Sequence, residues 1–492
     1  MRRSLSFAAA LAALGLTACG GGGNSVIGVT PPPSPTPVAS PIAVVSPVSN
    51  PQQVATSPIA HVIIITMENR TPDNLFGVSA LTGGAPYPGA DVQAKGVGTD
   101  GVTPVAFAPV SLADFRDPGH SYPEMVALWD NGKMDQFANG NTYPLGASSP
   151  SKIPNFANAY APPNETILYH TIAYQYGFAD RMFSSRLVAS FPGHQFLIAG
   201  QSGAADNPPA RIWGCDSPAF ALSPTFGAPE TEGPAAKPCY DYQTLGDLLD
   251  LQGVSWKYYS GPPGTIDGNI DAYGAINHVR YGADFAKVSQ PLTNVNSDLQ
   301  NCTLPSVSWI NAPAFASDHS ATLSAGGPGF VGDIYLQWLQ TKANANPNCQ
   351  YLNNSVIFVT WDDAGGWADH VVPPKDPSGA SYGMRVPLIV ISPYAKSGYS
   401  AAKPSGYLPF VSHVQHDYGS ILRYTEENFG IAGGALGQRD ALADDLADMF
   451  NYTATPVPPI PGLLLQSLKR EVATAKRTRL STPANTPVDD DK

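Results

Sequence analysis

His61-Val62-Ile63-Ile64-Ile65-Thr66-Met67-Glu68-Asn69 reads as a buried strand that ends in a carboxylate and an amide. Its run of β-branched residues without polar alternation suits a strand covered on both faces, as in a parallel sheet. A second run of the same kind, Ser355-Val356-Ile357-Phe358-Val359-Thr360-Trp361, ends in Asp362-Asp363 and is followed by Gly365-Gly366. Ligands of parallel α/β sheets bind in the crevice outside the carboxyl ends of the strands, so these two ends, far apart in sequence, can meet at one site. Carboxylates gathered there would repel one another unless a cation sat among them. Adjacent aspartates inside a regular strand point to opposite faces, and both reach one ion only where the pleat stops; the glycine pair marks such a stop. An isolated Asp-Asp pair is ordinary turn chemistry. One that follows a buried apolar run reads as a site, and the chemistry it implies is metal-dependent hydrolysis.

Further strands are expected at 254–259, 305–310 and 386–392, beside those at 61–66 and 355–361. Helices are expected over Tyr242–Leu251, with Asp241 as its N-cap, and over Val331–Gln340 and Gln415–Phe429. Strands alternating with helices predict an α/β fold with a mainly parallel central sheet flanked by helices and right-handed crossovers. The Gly/Pro-rich stretches 78–119 and 203–238 read as long loop insertions into one body, not as a second core, and no internal repeat is visible. The catalytic body is expected over 58–452.

The two ends are of another kind. Residues 1–18 carry two arginines, then an apolar stretch and small residues, which predicts a signal peptide too short to span a bilayer. Leu16-Thr17-Ala18-Cys19-Gly20 resembles a bacterial lipobox, which implies a lipidated Cys19 holding an exported protein at the cell envelope, on its periplasmic or cell-surface side. Residues 19–57 are rich in Pro, Gly and Ser and read as an extended tether. Residues 453–492 read as a Pro-rich and polar tail with a short helix over 463–476 and a disordered acidic end. Apart from Cys19, the cysteines are Cys215, Cys239, Cys302 and Cys349, an even number that suits two disulfides in an exported chain. Of three possible pairings, Cys215–Cys239 with Cys302–Cys349 closes the most local loops. The net charge of −12 leaves no basic face for a polyphosphate backbone, which argues against nucleic acid as a partner.

The segment HVIIITMENRTPDNLFG (61–77) resembles the opening signature of the bacterial phosphoesterase family that contains acid phosphatases and phospholipases C, a branch of the alkaline phosphatase superfamily. Further matches follow in order: Ser190-Phe191-Pro192-Gly193-His194-Gln195, Pro305-Ser306-Val307-Ser308-Trp309, Ser317-Asp318-His319, Trp361 through Val371, Arg385-Val386-Pro387, and His413 through Glu426. Pro72 departs from the pattern, which usually has phenylalanine there. The resemblance implies that Glu68, Asn69, Asp362 and Asp363 bind a divalent metal ion and that Ser190 is the nucleophile. It also implies that loop histidines His120 and His319 serve the phosphoryl oxygens or the leaving group. His194, His370 and His413 are weaker candidates, with His370 expected to orient Asp362 or Asp363. Oxygen ligands favour Mg, Ca or Mn, and an added histidine would favour Mn, Zn or Fe.

The implied activity is hydrolysis of phosphate esters through a phosphoserine, closer in its motif variants to the acid phosphatases. The alternative is a phospholipase C, which would take phospholipid in place of a small phosphate ester. An inactive surface-anchored binding protein is a rival of another class, and loss of a ligand or nucleophile would support it. A formylglycine sulfatase needs a C/S-x-P-x-R run, and none follows the first strand.

Overall fold

The computed structural model describes residues 57–473, apart from 148, 210–211, 228–229, 263–264, 266–267, 269, 342–345, 347–348, 400–405, 461–464, 467–468 and 471. The expected signal peptide, all of the tether but residue 57, the polar end and most of the expected C-terminal helix lie outside the described residues.

Eight strands form the central sheet: β1 (His61–Met67), β2 (Gly177–Ala179), β3 (Trp256–Tyr259), β4 (Val288–Ser289), β5 (Val307–Asn311), β6 (Ser355–Trp361), β7 (Leu388–Ile391) and β8 (Phe410–Ser412). Their order is β4-β3-β5-β1-β6-β7-β2-β8. Only β7 runs antiparallel to its neighbours. The mainly parallel sheet expected from the sequence is therefore present, with β1 at its centre between β5 and β6. β6 and β7 are buried throughout, as their unalternating apolar runs require.

Helices cover the sheet in two groups. One pairs α3 (Pro163–Gln175) with α6 (Gly327–Gln340); the other pairs α7 (Tyr418–Asn428) with α4 (Ser190–Ala199) and α5 (Leu245–Leu251). Two further helices, α1 (Pro72–Phe76) and α2 (Tyr122–Trp129), follow the site-bearing loops. Pro72 occupies the first turn of α1, with the Thr71 side chain accepting from Asn74 N, a position where proline's missing N–H costs nothing. The cap of α5 is Thr244 in a capping box with Asp247, not Asp241. Asp241 instead accepts from His278, because the chain enters α5 three residues later than the apolar pattern suggests.

The disulfides are Cys215–Cys239 and Cys302–Cys349, the local pairing. The insertion at 203–238 carries a small hairpin, Ser223–Phe226 with Glu232–Ala236, tied by the first of them. Residues beyond Phe450 still pack on the body: Val457 N donates to Pro393 O, and Ile460 is buried with its N–H on Tyr335 Oη. No helix among the described residues is long and apolar enough to cross a membrane.

Candidate metal-centred active site

Register brings the two strand ends abreast. β1 and β6 pair in parallel with Thr66 opposite Thr360 and Met67 opposite Trp361, so Glu68 and Asn69 leave the sheet level with Asp362 and Asp363. On the other side of β1, Thr66 lies opposite Asn311, which places the end of β5 at the same edge. The strand ends are cross-linked: Asp362 N donates to Met67 O, Arg70 N to Asp363 O, and Asn69 N to Asp362 Oδ1 at 3.0 Å. The Tyr418 hydroxyl of α7 donates to the carbonyls of Trp361 and Asp362 and pins the end of β6 from behind. Sequence reading missed Tyr418, which looks like one more apolar-face residue of a helix.

Both glycines after the aspartates have left-handed backbones, and both sit where a side chain would collide. A Cβ on Gly365 (φ +60°) would lie 2.5 Å from Asn69 Cβ, and one on Gly366 (φ +68°) would lie 2.5 Å from Gly119 O. Gly193 on α4 makes a third such contact, 2.5 Å from Asp362 O. Gly365→Ala is expected to destabilise the fold by about 2–4 kcal/mol, the left-handed and overpacking costs together. Urea unfolding would measure it, and a wild-type midpoint would contradict it.

Ser190 opens α4, fully within the body, and its Oγ lies 3.5 Å from Asp363 Oδ2. The neighbouring serines are tied elsewhere: Ser184 to Arg186 O, Ser185 to Asp417, and Ser202 to Ala204 O. One turn after Ser190, His194 turns Nε2 to within 3.0 Å of Glu68 Oε1 and 3.8 Å of Asp362 Oδ2. Burial, and then the nearby Glu68, push the Asp362 carboxyl up to about 8, while burial lowers the His194 imidazole below its ordinary value. Asp362 Oδ2 and Asn69 Oδ1 are buried without a hydrogen-bond partner among the described residues. Buried, crowded carboxylates with unsatisfied oxygens are the donor set that a divalent cation satisfies, so these residues fit such an ion.

His120 and His319 come to the same place. Their rings are 5.8 Å apart, and with Asp117 they form a second buried group of possible ligands beside Glu68, His194 and Asp362. His120 Nδ1 donates to Pro118 O, which leaves Nε2 to accept from Asn69 Nδ2 at 3.2 Å. That bond turns the Asn69 Oδ1 away from His120, so His120 orients the amide in this state. His319 follows Asp318, a left-handed residue (φ +77°) whose carboxylate accepts from Tyr169 and Trp361. Arg70 is buried, with its guanidinium on Asp318 O and over the Trp367 ring, so it holds the His319 loop.

His370 does not reach the aspartates it was expected to orient. Its Nδ1 lies 2.7 Å from Asp73 Oδ2 and its Nε2 3.1 Å from Asp91 Oδ1, because the chain turns away after Gly365-Gly366. The buried Arg385 closes that cluster with a bidentate pair to Asp369 and a contact to Asp73. Arg385→Met is expected to cost about 3–5 kcal/mol in chemical denaturation, since it strands two buried carboxylates. A loss below about 1 kcal/mol would show that they simply take up protons. His413 pairs with Asp180, each just past the end of its own strand, β8 and β2, and is half exposed.

The sequence pattern of the Phosphoesterase family matches residues 59–432. Phospholipase C B of Mycobacterium tuberculosis is 24% identical over 465 residues, spanning 82% of this chain and 80% of that one. Non-hemolytic phospholipase C of Burkholderia pseudomallei is 24% identical over 456 residues, spanning 80% of this chain and 59% of that one. Among solved structures, a protein in the alkaline phosphatase superfamily from Vibrio parahaemolyticus overlays with a TM-score of 0.30 and 14% identity, covering 56% of this chain and 63% of that one.

Proposed function

The chain belongs to the phosphoesterase family and is a phosphoric ester hydrolase, and from that premise we propose that it cleaves phosphate monoesters through a phosphoserine on Ser190. Glu68, Asn69, Asp362 and Asp363 would hold the divalent ion. The observation that carries the reading is the meeting of Ser190 with two level strand ends: its Oγ is 3.5 Å from Asp363, beside unsatisfied oxygens of Asp362 and Asn69. The ion, when bound, would lower the pKa of the serine hydroxyl and neutralise charge on the phosphoryl oxygens. Ser190 Oγ gives its proton to water and bonds to phosphorus as the P–O bond to the ester oxygen breaks. That oxygen takes a proton from His319 or from solvent, while His120, whose Nε2 accepts from Asn69 Nδ2, holds that amide and can supply a proton only once that bond is exchanged. Water attacks the phosphoserine next, the P–Oγ bond breaks, and Ser190 regains its proton as phosphate leaves.

The monoester preference rests on Ser190, the His194-Gln195 pair, the Ser317-Asp318-His319 run and the Trp361-Asp362-Asp363 variant, which resemble the acid phosphatase branch. A second reading, cleavage of phospholipid head groups, is favoured by the relatives named phospholipase C. Turnover of p-nitrophenyl phosphate against p-nitrophenyl phosphorylcholine separates them: faster monoester cleavage is expected, and preference for the choline diester would make the protein a phospholipase C. The intact set of nucleophile and ligands speaks against an inactive binding protein. Export and anchoring through a lipidated Cys19 are part of the proposal, supported by Leu16–Gly20 and by two disulfides, which suit an oxidising compartment.

A further inference from the structure

His194 was not among the ligands that the family resemblance implies, yet it faces them. It stands four residues after Ser190 on α4, so the two side chains share one helix face and enter the site together. Bound at about 2.0–2.2 Å to nitrogen and oxygen donors, a metal ion holds neighbouring ligand atoms about 3.0 Å apart in an octahedron and about 3.4 Å apart in a tetrahedron. The 3.0 Å and 3.8 Å separations of His194 Nε2 from Glu68 Oε1 and Asp362 Oδ2 bracket those edges. All three side chains are buried, and Asp362 Oδ2 has no hydrogen-bond partner among the described residues.

A second, independent observation lies at the end of β5. Asn311 is buried beside His194 and interacts with its ring and with the Tyr258 hydroxyl, yet among the described residues neither its Oδ1 nor its Nδ2 makes a hydrogen bond of good geometry. A buried amide whose hydrogen bonds are this poorly formed is costly unless the working state completes them. Histidines that ligate metals through one nitrogen are commonly oriented by a polar partner on the other.

We infer that His194 is a nitrogen ligand of the metal ion, binding through Nε2 beside Glu68 and Asp362, and that Asn311 is the positioning residue that orients its ring. The inference rests on the metal reading of this site and deepens it. A mixed nitrogen and oxygen set selects Mn, Fe or Zn over Mg or Ca.

The test uses the full chain loaded with Mn(II) alone, without substrate, read by electron spin-echo modulation from coordinated nitrogen. Wild type is expected to show an imidazole signal that is lost in His194→Gln and kept in His120→Gln. Asn311→Leu is expected to keep the signal and weaken Mn(II) binding by about 10-fold or more in calorimetry. The wild-type spectrum alone decides the matter if His194→Gln does not fold: stoichiometric Mn(II) without a nitrogen signal overturns the inference and leaves the metal site standing. A signal that persists in folded His194→Gln also overturns it. Wild type that takes up no Mn(II), Zn(II) or Fe(II) overturns the metal reading itself, and this inference with it.

Discussion

Ser190→Ala is expected to lower turnover of p-nitrophenyl phosphate by about 10³-fold or more while leaving the fold and metal content intact, since only the attacking oxygen is removed. The size follows from the role. A residue that carries the covalent intermediate cannot be bypassed by its neighbours, and Ser184, Ser185 and Ser202 each already donate their hydroxyl elsewhere. Rapid quenching of wild type with a labelled monoester should trap phosphate on a peptide containing residue 190, and the alanine variant should trap none. Retention of more than a tenth of the activity would move the nucleophile to another residue.

Removing the ion, or removing a ligand by Asp362→Asn, should abolish activity to a similar degree, and here pH gives a second handle. In the metal-free protein Asp362 is pushed up to about 8 by burial, with Glu68 adding to it, so below that pH the carboxyl holds a proton that binding must expel. Apparent affinity should therefore rise about tenfold per pH unit below about pH 8 and level off above it. Calorimetry in buffers of different ionisation heat would count the proton released. Stability of the metal-free protein should move the other way. A carboxyl raised in the folded state favours folding less as it ionises, so stability falls as pH climbs from the ordinary carboxylate range toward about 8, and metal restores it. An affinity flat between about pH 6 and 8 would contradict the picture.

The two strand ends at the candidate metal site were legible because β1 and β6 are buried on both faces and so lack polar alternation. Their adjacency was not: nothing in either run says that β1 lies beside β6 or that Met67 stands opposite Trp361. β2, β4 and β8 were missed for a simpler reason, being two or three residues long with no period to detect. The helix that presents Ser190 and His194 gave no signal, since every residue from 190 to 199 is buried and the usual one-sided apolar stripe is absent. Only the family resemblance picked out Ser190. His370 shows the opposite error: nearness in sequence to Asp362 and Asp363 suggested a partnership that the turn at Gly365-Gly366 breaks. Asn311 offered no cue, as a polar residue closing a strand is commonplace.

Gly193, Gly365 and Gly366 leave no room for even one extra carbon between the Ser190 helix, the two strand ends and the His120 loop. Those four pieces can therefore drift in evolution only as a unit, because a side chain at any of the three contacts would wedge them apart. Diversification of substrate is then confined to whatever surrounds the unit. The insertions at 78–119 and 203–238 are the natural place for it: one supplies the loop that ends at His120, and the other is a disulfide-tied hairpin free to change length.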